Sequence, residues 1–415
     1  MAIARVPQGV NPRRRETGAV SVSAWPASSF DNLALPDLLR RDGEKWATAQ
    51  GGVLSSWVAD MDFPTAPAVG EALRRRIGGD LGYPAWFDES DGGPLGEVFA
   101  ARMLRRFGVE VDETCVRMFT DINQAMLATL QVATRPGDAV LLHTPACPPF
   151  VDVIEKIGRR PLTVPLQATE TGWEFDPDRM ERAVTSQGPG RCRVLFLVNP
   201  HNPTGRVFRR DELESLAELA IRRDLLVVSD EVHADLTYPG HRHIPFVSLS
   251  DEIAERTVTL TSGSKAFNLS GVRCAVAHVG PKAVREAIDE RHGLMFGQVG
   301  VLGVEALKAA WTAGDEWLDG VTAVLDRNRR RVAEQLPEGL RYRMPEATFL
   351  AWLDCARLGL TDPMPYFRDE AKVLLFSGSA FGAVGKDFVR LNFATSGALL
   401  DEMLARMGAA ARRRH

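Results

Sequence analysis

Several short segments carry polar residues of the kinds that do covalent and anion-binding chemistry, and each stands at or just beyond an apolar run. They are Asn199-Pro200-His201-Asn202-Pro203-Thr204-Gly205, Ser229-Asp230-Glu231-Val232-His233, Ser262-Gly263-Ser264-Lys265 with Arg273 following, and Val389-Arg390-Leu391-Asn392-Phe393. A lysine amine adds to carbonyls and removes protons once burial and neighbours depress its pKa. A guanidinium offers parallel N–H groups that match a planar carboxylate or a phosphate. Taken singly, each segment is weak. Lone lysines are mostly solvated, NPxG-like turns are common loop chemistry, and an aspartate at a strand end is often a helix cap. Their shared order along one chain is much harder to obtain by chance.

The segments gain meaning from the elements that must hold them. Runs at 139–144, 193–199, 225–231, 257–263 and 274–280 are nearly continuous in apolar residues, as in buried strands of a mostly parallel sheet. Helix-like stretches at 122–133 and 210–223 lie between them, the second with Asp211, Glu212 and Glu214 near its start, where the helix dipole favours acids. An open α/β sheet presents its ligand site at the carboxyl ends of its strands, where these polar residues fall. Around 310–335 an Arg-rich amphipathic segment carries the chain to a break at 337–339, and further strands are expected at 348–354 and 387–393. The reading is an α/β fold: a large domain with a mostly parallel central sheet flanked by helices, plus a smaller α+β domain. Its expected divisions are an arm at 1–45, a large domain at 46–310 and a small one at 311–415 that also recruits part of the N-terminal segment.

Composition sets limits on partners. The chain has 415 residues, 45% hydrophobic and 25% charged, with 50 Lys+Arg against 54 Asp+Glu and a net charge of −4. That is room for two domains, without the basic footprint that nucleic acid or an anionic membrane requires. Cys115, Cys147, Cys192, Cys274 and Cys355 are scattered without CxxC spacing, which fits a reducing, cytoplasmic setting. Arg13, Arg14 and Arg15 have no apolar segment behind them, so neither a signal peptide nor a membrane anchor is expected. The first thirty or so residues read as a loosely ordered arm, with Trp25 and Phe30 as docking aromatics.

Over about 45–400 the sequence resembles the fold-type I enzymes that use pyridoxal 5′-phosphate (PLP), the aspartate aminotransferase superfamily, on the HNPTG, SDEVH, SGSK and RLNF segments. Trp57-Val58-Ala59-Asp60-Met61-Asp62-Phe63, Gly82-Tyr83-Pro84 and Asp230-Glu231-Val232-His233 are similar to the cystathionine β-lyase-like branch typified by the bacterial C–S lyases MalY and PatB. The resemblance implies that Lys265 holds PLP as a Schiff base and removes the Cα proton. It places Asp230 on the pyridine nitrogen, Asn202 on the ring hydroxyl, and Ser262 and Arg273 on the phosphate, helped by backbone N–H groups of Ile122 and Asn123 at a helix start. It gives Arg390 to the substrate carboxylate, with Ala59 and Asp60 beside the substrate. Tyr83 reaches the phosphate of a partner subunit in a homodimer with shared sites.

The sequence also departs from that pattern. Where relatives place an aromatic residue on the PLP ring, the chain reads Thr144-Pro145-Ala146-Cys147-Pro148-Pro149-Phe150. A thiol cannot stack, so a contact worth about 1 kcal/mol is lost or supplied by another residue. Cys147 is either a specificity feature that widens the site or a tolerated small neighbour of the cofactor. Asp121 stands where relatives have a small residue at the phosphate turn, and is expected to cap the helix. His233 replaces a tyrosine of classical aminotransferases and is expected next to the cofactor. His241 and His243 lack the spacing of metal ligands, and no metal is assigned.

The activity expected is that of a PLP-dependent C–S β-lyase cleaving an L-cysteine S-conjugate to a thiol, pyruvate and ammonia. An aminotransferase would share every cofactor residue. Cys147 also suggests likeness to lincosamide-pathway relatives, which process a sugar-linked cysteine conjugate by elimination or by oxygen-dependent decarboxylation and deamination. A regulator that keeps the fold without catalysis is disfavoured by intact Lys265, Asp230 and Arg390.

Overall fold

A computed structural model describes residues 25–86, 92–170, 172–187, 191–291 and 297–414. Most of the expected arm therefore lies outside the described residues. Its two aromatics lie within them: Phe30 is fully buried, edge-on to Phe63 at 5.2 Å and to Trp317 at 6.0 Å, and Trp25 is 6.1 Å from Phe30. Such edge-to-face contacts add about 0.5–1.5 kcal/mol each beyond simple burial.

The strands, in chain order, begin with Leu54–Ser55 (β1), Val116–Phe119 (β2), Ala139–Thr144 (β3), Arg160–Pro165 (β4), Gln167–Ala168 (β5) and Trp173–Glu174 (β6). Cys192–Val198 (β7), Leu226–Asp230 (β8), Thr257–Thr261 (β9), Ala275–Val279 (β10) and Arg341–Tyr342 (β11) follow. Leu350–Asp354 (β12), Val373–Leu374 (β13), Phe376–Ser377 (β14) and Phe388–Asn392 (β15) complete the order. The large sheet is ordered β2-β10-β9-β8-β7-β3-β4. Its central strands are buried on both faces, so neither face selects for polar residues and the sequence runs are unbroken in apolar side chains.

The sheet is mixed. From β4 through β9 the pairings are parallel, but β10 runs antiparallel to both β9 and β2. The reason is the connection: the chain between β9 and β10 is spent on the turn around Lys265 and a single 3-10 turn, Ser270–Val272, with no helix to carry it back across the sheet. Strand β2 carries little sequence signal, because its four residues include Arg117 and make no unbroken apolar run. The buried Arg117 guanidinium is neutralised by Asp289.

Helices Ile122–Ala133 and Arg210–Arg222 form at the expected places. Asp121 caps the first by accepting the Gln124 N–H at 2.9 Å, and Glu212 accepts the Arg209 N–H of the second, also at 2.9 Å. The Arg-rich segment is the helix Asp315–Glu334. Beyond it β11, β12, β15 and β14 make a small antiparallel sheet.

One strap ties the two ends of the chain together. Strand β1 pairs with β13, Asn392 N–H bonds to Ser56 O at 2.9 Å, and the Asn392 side-chain amide donates to the carbonyls of Val58 and Asp60 at 2.6 Å each. Residues 54–60 are thereby laid across the carboxyl end of the large sheet.

Candidate active site

The carboxyl ends of β3, β7, β8 and β9 deliver Cys147, Asn202, Asp230 and Lys265 to one cavity of about 280 Å³. The strap adds Ala59, the helix start at Asp121 adds Ile122 and Asn123, and the small sheet adds Phe376 and Arg390. A larger cavity, about 860 Å³, opens at the other end of the strands among Arg135, Asp138, Arg193, Asp224, Glu252 and Arg256. It gathers no candidate nucleophile, so convergence of chemistry, not volume, locates the site.

Lys265 Nζ donates to Ala59 O at 3.0 Å. Enclosure by protein lowers its pKa, against the opposing pull of Asp60 and Asp230. Asp230 is 2% exposed, and burial pushes its carboxyl up to about 7, with a smaller push from Glu231; the Val232 N–H at 3.1 Å and Lys265 act the other way. A buried acid in that state asks for a cationic hydrogen-bond partner, which a protonated pyridine nitrogen would be. Glu231 itself is tied down by the Ser229 hydroxyl at 2.9 Å, the Phe246 N–H at 3.0 Å and His243 at 2.8 Å. His243 is therefore committed to this carboxylate.

His233 is buried beneath Phe349 and held at a pKa of about 3 by burial, with Lys265 and Arg390 adding to the effect. It is neutral at any ordinary pH, and its Nδ1 has no hydrogen-bond partner among the described residues. Such an orphaned buried nitrogen beside Lys265 is the condition a bound cofactor would relieve.

Arg390 lies under two rings, 4.7 Å from the centre of Phe376 and 5.1 Å from that of Phe381. One terminal nitrogen donates to Asn202 Oδ1 at 3.1 Å and the other to Trp57 O at 3.0 Å, while Nε is left without a partner. Burial lowers its pKa to about 10, still a cation at neutral pH. The fork is held in place with donor capacity left for an anion.

At the anion end Ser262, expected on the phosphate, stands just behind the residues that line the cavity. Ser262 is satisfied within the protein, donating to Cys274 O at 2.7 Å and accepting the Ser264 N–H at 3.0 Å. The hydroxyl-bearing residues that line the cavity are Ser264 and Ser270, the latter donating to Asp60 at 3.0 Å. Both stand within a few residues of Lys265, which was the available signal. Arg273 lines the cavity and forms an ion pair with Asp121, while the N–H groups of Ile122 and Asn123 take no acceptor among the described residues. Cys147 also lines it, with burial raising the pKa of its thiol, and Phe150 and Phe376 are the aromatics nearby. Tyr83 is 87% exposed and stands outside its own chain's cavity. Asp60 lies behind the lining, turned to Ser270.

Comparison with known proteins agrees with this geometry. The family model described as aminotransferase class I and II matches residues 97–407. The chain is 33% identical to cystathionine beta-lyase PatB of Bacillus subtilis over 367 residues, 86% of this chain and 92% of that one. Among solved structures, OvoB superposes with a TM-score of 0.83 at 35% identity, covering 89% of this chain and 96% of that one. Cystalysin of Treponema denticola, whose crystal structure contains pyridoxal 5′-phosphate, also gives 0.83, at 26% identity and with 90% and 96% covered. The chain belongs to the aminotransferase class I and II family of fold-type I, PLP-dependent enzymes, in its cystathionine β-lyase-like C–S lyase branch.

Proposed function

We propose that this enzyme is a PLP-dependent C–S β-lyase that cleaves an L-cysteine S-conjugate to a thiol, pyruvate and ammonia. The observation that carries the reading is the single cavity in which an amine of lowered pKa, a buried acid of raised pKa and a fixed guanidinium face one another. When bound, PLP supplies an electron sink for the pair left at the substrate Cα. Lys265 holds the cofactor and, once freed, takes the Cα proton. Asp230 keeps a proton on the pyridine nitrogen, and neutral His233 and Asn202 border the ring. Ser264, Arg273 and the Ile122 and Asn123 amides receive the phosphate, with Ser262 bracing Ser264. Arg390 grips the α-carboxylate and fixes which Cα bond faces Lys265, while the Cβ–S bond breaks and the thiol leaves.

Cys147 in place of a stacking aromatic leaves room beside Phe376 for a larger group on sulfur. The homodimer that the resemblance implies is supported by Tyr83, whose exposed side chain, in a stretch that also exposes Leu81, suits delivery to the phosphate of a partner's site. No helix among the described residues is long and apolar enough to cross a membrane, and a cytoplasmic location accords with five free cysteines.

Product analysis with cysteine S-conjugates, from cystathionine to bulky sugar conjugates, tests the reaction. Thiol and pyruvate in equal amounts are expected. Pyridoxamine phosphate without thiol would mean transamination, and oxygen uptake with CO₂ release would mean oxidative decarboxylation.

A further inference from the structure

The anion end of the cavity contains a residue that opposes an anion. Asp121 does two things at once: one carboxylate oxygen caps the helix Ile122–Ala133 through the Gln124 N–H at 2.9 Å, and the other pairs with the Arg273 guanidinium. All of Asp121, Ile122, Asn123 and Arg273 line the one cavity. The carboxylate is mostly covered, 22% exposed, whereas the arginine side chain is 61% exposed. Arg273 and the amides of the helix start, the donors a phosphate would use, therefore share their space with a fixed negative charge.

We propose that Asp121 sets how loosely the cofactor's phosphate is held: its carboxylate competes for Arg273 and lowers the protein's affinity for PLP, so that the cofactor exchanges with solution. The proposal rests on the PLP assignment and not on the lyase reading. A phosphate arriving at the helix start has two choices. It displaces the carboxylate from Arg273, which strands Asp121 beside a dianion, or it shares an arginine whose charge is already matched. Either choice costs binding free energy that a neutral residue at 121 would not impose. The helix cap does not need the charge, because an amide or hydroxyl oxygen accepts from the same N–H.

The test is Asp121→Asn, which keeps the capping oxygen and removes the charge. Cofactor release from the holoenzyme on dilution, and re-uptake of PLP by the depleted protein, are followed by absorbance. Re-uptake of pyridoxal, the same ring without phosphate, is the control. Affinity for PLP is expected to rise on the order of tenfold, discounted for partial exposure, with release slowed accordingly and pyridoxal unchanged. Asp121→Ser gives the same readout should the asparagine variant fold poorly. Unchanged or weaker PLP binding in a folded variant would overturn the proposal, as would equal tightening of pyridoxal. Because the readout is binding, an enzyme that turned out to transaminate would still answer it.

Discussion

At the scale of single residues, the site is built on charges held out of their ordinary state. Removing the amine in Lys265→Ala should abolish the visible absorbance band of bound PLP and cut turnover by a factor of ~10² to 10⁴ or more, read by pyruvate release. Arg390→Lys keeps the charge but loses the planar fork under Phe376 and Phe381, so KM for the amino acid should rise about 10- to 100-fold with a smaller change in kcat. Asp230 yields a less obvious outcome. Its folded-state pKa of about 7 lies above the ordinary 3.8, so the folded, cofactor-free protein holds the proton more tightly than the unfolded chain does. The stability this confers is complete below about pH 4 and is lost as pH rises through about 7. Cofactor-free wild type should therefore lose up to a few kcal/mol across that window relative to cofactor-free Asp230→Asn. Parallel melting curves from pH 4 to 8 check it, and a constant difference would refute it.

At the scale of elements, what sequence could tell was whatever is local. The strands 139–144 and 225–231 announced themselves because both faces are covered, and Asp121 could be placed as a cap because its partner, Gln124, is three residues on. Its second partner, Arg273, is 152 residues away and reaches it only through the path of β9 and β10, so no local pattern announced the ion pair. The same holds for Phe376, which enters the cavity from the small sheet, and for β10, whose direction depends on how the Lys265 turn uses its length. Within the HNPTG segment, Gly205 shows what the motif is for. Its φ is +70°, and a Cβ there would lie 2.2 Å from the Cβ of Pro345 and 2.9 Å from Ala347 O. The loop that presents Asn202 is thus seated against the connection between β11 and β12 of the small sheet. Gly205→Ala should cost about 2 kcal/mol or more, measured by denaturant titration, and should weaken cofactor retention with it.

At the scale of the whole molecule, the proposed dimer makes each site a joint product. Lys265→Ala and Tyr83→Ala damage the same site from different chains, so mixing and re-equilibrating the two inactive variants should restore activity, approaching about a quarter of wild type. Failure to recover any activity from a mixture that exchanges subunits would remove Tyr83 from the partner's site. The strap has a different consequence, one in time. Synthesis runs from the N-terminus, and Ala59, which takes the Lys265 N–H, is held through Val58 and Asp60 by Asn392, near the far end of the chain. A nascent polypeptide will have made Lys265, Asp230 and Arg273 well before the segment that closes over them has its anchor. Everything as far as Asn392 must emerge from the ribosome before the Lys265 amine is enclosed, and a message truncated ahead of that codon would yield a chain with its reactive amine present and its chamber open.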